Sequence, residues 1–438
     1  MTPQAKRDAA EAASGTCAAC RPTAGRWAAI AAALSLAWAL FGAAQASAQT
    51  PGPRVRADGW QADEYGRTEG YPAAPGRMGE RKMNLVGSYS RWDGLVPTRE
   101  ISTAVDPAPL RHIGQEPAIR YNSGGASLRL DDYLDRYPIT GLLIARGDQI
   151  LVERYQYDRR DTDRFQSMSM AKTITALLIG IAVQEGHIRS IGDAAETYAV
   201  GLRGSEFGRT PIKALLQMSS GIRFKHRVTE EDLARDDTAI LNRLRRISVL
   251  NAVLQFNERI ADPGTRFNYT SADTLVLGLV LAAATGRSVG DYTREKLWEP
   301  LGAEGKAIWR IDQEGQELTA CCFGAMLRDY ARLGLMLAHD GNWRGRQIVP
   351  RDWLIAGTSV GPADRHLQVV SARRKLGYGY QTWLLPPPGR MFVMRGFRGQ
   401  ELFVDPATKT VMVQTAVSPI ARDDAVLALW QGVLASLR

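Results

Sequence analysis

The chain has 438 residues, which is too long for a single hydrophobic core of usual size. We therefore expect two structural lobes or one large composite domain. With 45% hydrophobic and 23% charged residues, its composition is that of a globular protein able to build a sizeable core. The formal charge of +9 is scattered among acidic residues, and no nucleic-acid-binding motif accompanies it. We therefore expect no nucleic-acid partner.

The first fifty residues differ from the rest of the chain. After Arg21 and Arg26, an uncharged run extends over residues 27 to 44 and is followed by Ala-Ser-Ala at residues 46 to 48, a pattern that signal peptidases accept. We predict a signal peptide over residues 1 to 48, and hence an exported, periplasmic or secreted protein. The alternative is a leader retained as a single membrane anchor, the only case in which we expect a membrane contact.

The next segments differ in periodicity. Residues 49 to 97 are rich in Pro, Gly and Arg without sustained periodicity, which indicates a linker or a wrapping arm. The stretch ITGLLIARGDQILVERYQY, residues 139 to 157, has two apolar runs around Arg-Gly-Asp and predicts a β-hairpin. Residues 169 to 185 then have the apolar spacing of a helix.

Helical patterns dominate the middle of the chain. Residues 230 to 257 are amphipathic, and SADTLVLGLVLAAATG ends at Gly286 as helices commonly end. Another helix is predicted at residues 326 to 338. The segments MFVMRGF, QELFVDP and TVMVQTAV then predict three strands, and a closing helix is predicted at residues 423 to 437.

A hairpin near the front and a meander at the back favour one antiparallel sheet assembled from both ends of the chain. We therefore predict a mixed α/β (α+β) fold in which helices flank this sheet. The sheet domain would comprise residues 98–165 and 305–438, and a mostly helical domain, residues 166–304, would be inserted into it.

The four cysteines predict no disulfide framework. Cys17 and Cys20 belong to the leader, so their C-x-x-C spacing does not indicate a redox site. Cys321 and Cys322 are neighbours, and two neighbouring cysteines can close only a strained ring. We expect them to be small buried residues.

The stretch FQSMSMAKTI, residues 165 to 174, contains the first candidate for chemistry. Ser169 precedes Lys172 by three positions, so both side chains share one face of the predicted helix. A serine becomes a nucleophile when a base takes its proton, and a lysine can be that base where its surroundings lower its pKa. The helix N-terminus favours an oxyanion. The alternative is an ordinary helix cap with a lysine nearby.

Two distant segments add to this pair. Tyr269 and Ser271 lie just before a predicted helix, and a tyrosine near a lysine can act as a proton shuttle. At the far end, RGFRGQ (395 to 400) joins two predicted strands, where Gly399 would let a substrate approach the strand edge and a backbone N–H could complete an oxyanion hole. The alternatives are a half-buried tyrosine and a tight strand connection.

The three segments, in this order, resemble the serine β-lactamase and penicillin-binding-protein superfamily, in which S-x-x-K is a signature. The resemblance covers roughly residues 85 to 438 and includes LLQMSSGI, PGTRFNYTSAD, LRDYARLGLMLAHDGNWRGRQIVP and GYGYQTW. It is strongest to the class C-like esterase and amidase branch, whose members include 6-aminohexanoate-dimer hydrolases.

This resemblance implies a β-lactamase/transpeptidase-like fold and a serine hydrolase without metal or cofactor. Ser169 would be the nucleophile, Lys172 its base and Tyr269 the second acid/base. The backbone N–H groups of Ser169 and Gln400 would form the oxyanion hole. The substrate, a small-molecule ester or linear amide, would contact a further set of residues: Ser271, Tyr380, Trp383, Arg395, Phe397, Arg398 and Gly399.

Two departures from the family's pattern bear on the substrate. Phe397 stands where β-lactamases and DD-peptidases usually have Lys or His, and Ser271 stands where β-lactamases commonly have Asn. Both favour an ester or a linear amide over a β-lactam, although Arg395 and Arg398 would suit an anionic substrate. The alternatives are a β-lactamase or DD-peptidase, and a catalytically idle penicillin-binding-like module.

Other catalytic signatures are weak. The five histidines are scattered without H-E-x-x-H, so we expect no zinc site. The pattern G-x-S-x-G occurs at residues 286 to 290 and 357 to 361, but both matches follow predicted helices and lack the preceding strand that a nucleophile elbow requires.

Overall fold

The computed structural model describes residues 52–223, 246–368, 375–419 and 423–438. The predicted leader, residues 1 to 48, lies outside the described residues. So does most of the amphipathic helix predicted at residues 230 to 257, of which Val249–Val253 is helical.

The described residues form strands that we number in chain order. They are β1 Arg54–Val55, β2 Thr98–Ile101, β3 Arg111–His112, β4 Arg120–Ser123, β5 Ala126–Arg129, β6 Ile139–Arg146, β7 Gln149–Tyr155, β8 Phe165–Gln166, β9 Ala307–Arg310, β10 Phe323–Ala325, β11 Asn342–Trp343, β12 Arg346–Gln347, β13 Gly377–Tyr378, β14 Trp383–Leu384, β15 Phe392–Gly396, β16 Gln400–Asp405 and β17 Thr410–Ala416.

The α-helices are numbered in the same way. They are α1 Leu85–Ser90, α2 Leu130–Leu134, α3 Met170–Gln184, α4 Ile212–Leu216, α5 Val249–Val253, α6 Ser271–Thr285, α7 Val289–Thr293, α8 Glu299–Leu301, α9 Leu327–Ala338, α10 Arg351–Gly357 and α11 Asp423–Ser436. Shorter 3₁₀ segments are Gly76–Met78, Lys82–Asn84, Ala195–Thr197, Val200–Leu202 and Arg365–Leu367, and a π-helical turn spans Arg294–Trp298.

The main sheet joins the two ends of the chain, as predicted. Its order is β1-β7-β6-β17-β16-β15-β14-β13, and β3 also pairs with β7. The first hairpin meets the C-terminal meander where β6 pairs with β17, with Gly141 opposite Thr415. These pairs are antiparallel, and only β1 and β3 run parallel to their neighbour β7. The mixed α/β fold with a mainly antiparallel sheet is therefore confirmed.

The sheet separates two apolar layers, because successive side chains of a strand point to opposite faces. Met394 and Leu402 belong to the layer that holds α3 and α9, whereas Val393 and Phe403 belong to the layer that holds α11. Trp430 of α11 stacks on Phe403 with ring centroids 5.5 Å apart. The face that holds α3 is the one that carries Ser169.

A second, four-stranded sheet has the order β2-β9-β10-β8. Its strand β8 lies directly before Ser169, since Phe165 pairs with Ala325 and Gln166 with Gly324. The entry to α3 is thereby held by a sheet on one side.

The segment of residues 54–90, which we call the arm, packs onto the body of the protein. Its aromatic residues Tyr65 and Tyr71 contact the ring of Tyr157 edge-on, at centroid distances of 5.7 and 5.6 Å. Gly59 lies so close to that ring that a Cβ there would meet it at 2.5 Å. The arm therefore contributes to the core of the chain from residue 50 onward, which forms one compact unit.

Among the described residues, no single helix has the length and apolar composition needed to cross a membrane. Ser271–Thr285 and Val289–Leu301 meet those criteria only as a pair, bent by 78°.

Candidate active site

Ser169 lies where the chain enters α3, and its hydroxyl does not cap the helix. The preceding Met168 has φ +45°, in the left-handed region that costs a non-glycine residue about 1–3 kcal/mol. Ser169 has φ −70° and ψ −3°, and its side chain makes no capping hydrogen bond. Its Oγ accepts instead a hydrogen bond of 3.0 Å from Lys172 Nζ. The ordinary-cap interpretation of FQSMSMAKTI therefore does not describe this serine.

Helix α3 fixes the pair because it is apolar on almost all sides. Residues Met170 to Ala182 are all buried, which is expected of a core helix hydrophobic around its circumference. Ser169 is half-buried at the end of this helix, and Lys172 one turn later is only 1% exposed. The serine is accessible to a ligand, whereas its partner is screened from water.

Lys172 Nζ contacts two hydroxyl groups and one backbone carbonyl, which are all uncharged groups. It lies 3.0 Å from Ser169 Oγ, 3.1 Å from Ser271 Oγ and 2.7 Å from the carbonyl oxygen of Ala320. The carbonyl can only accept, while each hydroxyl can donate or accept. A neutral amine can therefore donate to Ala320 and Ser271 and receive the proton of Ser169, which is the arrangement a general base requires.

The partners of Lys172 stand at the ends of rigid elements. Ser271 is the first residue of α6, whose N-cap Thr270 accepts a hydrogen bond from the backbone N–H of Ala272. Ala320 lies just before a disulfide that links Cys321 and Cys322. Our expectation of small buried residues was right about burial, at 3% and 5% exposed, but wrong about the bond. Adjacent residues can be bridged here because Cys322 adopts φ +65°.

Tyr269 is brought to the same place by the turn before α6. Its half-buried ring centroid lies 5.1 Å from Lys172 Nζ, a distance at which the ring face attracts a cation. Trp383 stacks on this ring at 5.4 Å with an interplanar angle of 29°, and Tyr378 meets it edge-on at 6.1 Å. The predicted meeting of Ser169, Lys172 and Tyr269 is thus present in the structure.

The aromatic surroundings of Tyr269 include Phe267, which the sequence did not single out for the site, and Tyr378. Phe267 packs on Tyr378 at 5.0 Å and on Trp383 at 6.0 Å. Burial raises the pKa of Tyr378 well above its usual range, and negative charge at Tyr269 or Asp273 would raise it further, so it stays a neutral phenol. Tyr378 is therefore a wall of the site, and Tyr269 is the half-buried tyrosine beside the lysine.

Tyr380 is not brought to this cluster. Its ring packs on Trp353 at 5.0 Å, and it borders a small cavity together with Ala176 and Leu177 of α3. That position lies along the middle of the helix, away from the end that carries Ser169. Of Tyr380 and Trp383, only Trp383 lies against Tyr269.

The hairpin of β15, β16 and the turn 397–399 reaches the two residues before Ser169 through Gly396. A Cβ at Gly396 would lie 2.4 Å from the carbonyl oxygen of Ser167 and 2.9 Å from Met168 Cβ. Gly399, which we expected to permit the close approach, has φ +89° and serves the turn. A glycine inside a strand pattern often marks the close approach of another backbone segment. The glycine in the predicted strand MFVMRGF, Gly396, could therefore have indicated this contact.

The hairpin also has an open edge. Within the described residues, β14 pairs with β15 only at Phe392 and Val393, so the outer edge of β15 is uncovered beyond them. Gln400 begins the inner strand β16, between β15 and β17. Its side-chain amide donates to the carbonyls of Phe397 at 3.1 Å and Ala416 at 2.6 Å. The uncovered edge, which ends at Phe397, is thus the better candidate for contact with a substrate.

The two arginines of the hairpin make ion pairs away from Ser169. Arg395 follows Val393 on the α11 face of the sheet and lies 2.9 Å from the buried Glu401. Arg398 points to the arm, where its guanidinium lies 3.0 Å from Glu80. The substrate contacts that we predicted for both arginines stay a prediction. Phe397 between them is 45% exposed.

No group of three His, Cys, Asp or Glu side chains in the described residues could hold a metal ion. The candidate catalytic groups are a half-buried serine, a buried lysine and a tyrosine, which lie near an open strand edge. With the mixed α/β fold, these features define the class of β-lactamase and transpeptidase-like proteins.

The chain belongs to the beta-lactamase family, because the model of that family matches residues 129–428. Among curated proteins it is similar to 6-aminohexanoate-dimer hydrolase of Paenarthrobacter ureafaciens, with 26% identity over 341 residues, 76% of this chain and 85% of that one. The class and the family are those that the sequence resemblance indicated.

Solved structures show the same fold. A Bacillus anthracis protein assigned as a 6-aminohexanoate-dimer hydrolase superposes with a TM-score of 0.74 at 20% identity, covering 83% of this chain and 98% of that one. A family VIII carboxylesterase gives 0.53 at 17% identity, covering 69% and 93%. Together with the family match, these superpositions make the chain a hydrolase of the β-lactamase fold.

Proposed function

We propose that this protein is an exported serine hydrolase that cleaves an ester or a linear amide through an acyl-enzyme on Ser169. The proposal rests on the hydrogen bond between Lys172 Nζ and Ser169 Oγ. The same serine side chain makes no capping hydrogen bond to helix α3. A nucleophile and its base within hydrogen-bond reach are the signature of covalent catalysis.

The first half of the reaction forms the acyl-enzyme. Ser169 Oγ attacks the substrate carbonyl carbon while its proton passes to Lys172 Nζ. The carbonyl oxygen becomes an oxyanion, held by the backbone N–H of Ser169 and by one from the hairpin. The tetrahedral intermediate collapses as the bond to the leaving group breaks, and Tyr269 passes the proton from Lys172 to that group.

The second half releases the acid. A water molecule attacks the acyl carbon and gives its proton to the Lys172 and Tyr269 pair. The Ser169 ester bond then breaks, and its oxygen regains a proton. The acid leaves, and the site returns to its starting state with no cofactor consumed.

For the hairpin's oxyanion donor, we assign the N–H of Phe397 in place of Gln400. Phe397 follows Gly396, the residue that touches the nucleophile segment, at the end of the uncovered edge. Gln400 lies in an inner strand, where a backbone N–H is directed at a neighbouring strand. Replacing Phe397 with proline, which has no N–H, should lower kcat more than replacing it with alanine.

An ester or linear amide suits the hairpin better than a β-lactam. Arg395 and Arg398 are engaged by Glu401 and Glu80, so neither is directed to a substrate carboxylate. The Paenarthrobacter relative is, by its name, a hydrolase of an amide dimer. A panel of nitrophenyl esters, a linear amide dimer and a penicillin, compared by kcat/KM, would identify the class.

Export is supported by the disulfide. Disulfides persist in oxidising compartments and are rare in the cytosol, so the bond between Cys321 and Cys322 agrees with a cleaved leader. Intact-mass analysis of the protein recovered from cell fractions should find it without residues 1 to 48. Recovery of the full chain in the membrane fraction would support the retained anchor instead.

A fluorophosphonate probe tests the mechanism directly. It should form an adduct on Ser169, and both Ser169→Ala and Lys172→Ala should abolish labelling. Ser167→Ala is the matched control, because Ser167 lies in the same motif but its hydroxyl donates to the Met168 carbonyl. An adduct that persists in Ser169→Ala would refute the proposed nucleophile.

A further inference from the structure

The arm lies outside the part of the chain that matches the family, residues 129–428, yet it touches both segments that build the site. It meets the chain just before Ser169, and it meets the turn of the β15–β16 hairpin. The distance between these two segments sets the separation of the two oxyanion donors.

The arm's first contact is with the nucleophile segment. Gln166 donates from its side-chain amide to the carbonyl of Ser88 at 2.8 Å. Met168, the residue in the left-handed conformation, packs against the apolar cluster of the arm that contains Tyr65 and Tyr89. The strained turn before Ser169 is therefore supported by arm residues as well as by its sheet.

The second contact is with the hairpin, through Arg398. Its Nε donates to Tyr89 Oη at 3.2 Å, one Nη donates to Glu80 at 3.0 Å, and the other donates to the Ser418 carbonyl at 3.3 Å. The backbone carbonyl of Arg398 accepts in turn from the N–H of Ser418 at 3.1 Å. One side chain at the tip of the turn thus ties the hairpin to the arm and to the end of β17.

We propose that the arm holds the β15–β16 hairpin in register with Ser169 through Arg398, which makes Arg398 a positioning residue for the oxyanion hole. The inference rests on the proposed function. The side chain is 12% exposed, and its fork geometry fits three acceptors at once. Burial opposes the charge, but Tyr89 and Glu80 outweigh it and raise the pKa of Arg398, so the fork stays charged.

The expected effect lies in the transition state. A shift of about 1 Å in one donor can lower the rate by about 100-fold, whereas the ground-state carbonyl binds with little dependence on the oxyanion hole. Arg398→Met should therefore lower kcat by about 10- to 100-fold and leave KM within about twofold. Arg398→Lys, which keeps the charge but loses the fork, should recover part of the rate.

The test measures kcat and KM with 4-nitrophenyl butyrate, the rate of fluorophosphonate labelling at Ser169, and the melting temperature. Tyr89→Phe and Glu80→Gln remove single contacts of the fork from the arm side and keep the folded volume. Arg67→Ala is the matched control, because Arg67 pairs at 2.8 Å with Asp63 of the same arm, in an exposed pair that does not involve the hairpin.

The inference is supported if both arm-side variants lower kcat and the labelling rate while Arg67→Ala does not. It is overturned if Arg398→Met keeps wild-type kcat, or if its only effect is a raised KM, since Arg398 would then bind substrate. It is also overturned if Tyr89→Phe and Glu80→Gln act like Arg67→Ala. A wild-type protein unlabelled at Ser169 would refute the proposed function and this inference together.

Discussion

Gly396→Ala perturbs the closest approach between the hairpin and the nucleophile segment. The added Cβ would lie 2.4 Å from the carbonyl oxygen of Ser167, whereas an ordinary contact is 3.4 Å or more. Because that oxygen belongs to the backbone and the Ser167 N–H is bonded to Phe323, relief requires the strand to move by about 1 Å. We expect kcat to fall by about 100-fold, with a loss of about 1–3 kcal/mol in the free energy of unfolding.

The assay compares kcat, the labelling rate at Ser169 and urea unfolding for Gly396→Ala and for Gly114→Ala. Gly114 is the control, because a Cβ there would meet nothing within 4 Å. In Gly396→Ala, kcat should fall by more than the loss of folded protein accounts for. If Gly396→Ala keeps wild-type kcat in a folded protein, the hairpin does not set the geometry of the oxyanion hole.

Two further predictions concern the aromatic wall and acid stability. Trp383→Ala removes the ring stacked on Tyr269 and should lower kcat/KM by about tenfold. Tyr380→Ala, whose ring packs on Trp353, should change mainly the melting temperature. Equal kinetic effects of the two variants would contradict the placement of Trp383 alone beside the proposed site. Hydrogen bonds from Arg209 and Arg259 lower the pKa of Glu206, so its contribution is present above pH 4.5 and is lost as pH falls through the lowered value. In Glu206→Gln, the melting temperature should therefore fall less steeply than in the wild type as the pH is lowered below 4.5.

The proximity of Ser169 and Lys172 could be predicted because it is a local feature of the chain. A spacing of three positions on a helix places Ser169 and Lys172 on one face, and Tyr269 lies in a turn before a helix, where a side chain is exposed. The antiparallel sheet could also be predicted, since the apolar runs at 139 to 157 and the final strands alternate with turn signals. These features depend on periodicity and short spacing, which a single sequence displays.

The remaining features depend on contacts between distant segments. The ion pairs of Arg395 and Arg398 could not be predicted because their partners, Glu401 across the hairpin and Glu80 in the arm, become neighbours only in the fold. Gly396 and Gly399 look alike in sequence, and only the packing against Ser167 separates them. The disulfide was missed because adjacency alone argues against it, while the turn that permits it is a tertiary feature.

The limits of the family match do not coincide with the limits of a workable fragment. Residues 129–428 stop inside α11, before Trp430, whose ring lies against Phe403 of the central sheet. They also omit the arm, including the tyrosines that pack on Tyr157. A fragment trimmed to those limits would expose apolar surface at both ends. Expression of a stably folded protein therefore calls for a segment that includes the arm and the whole of α11.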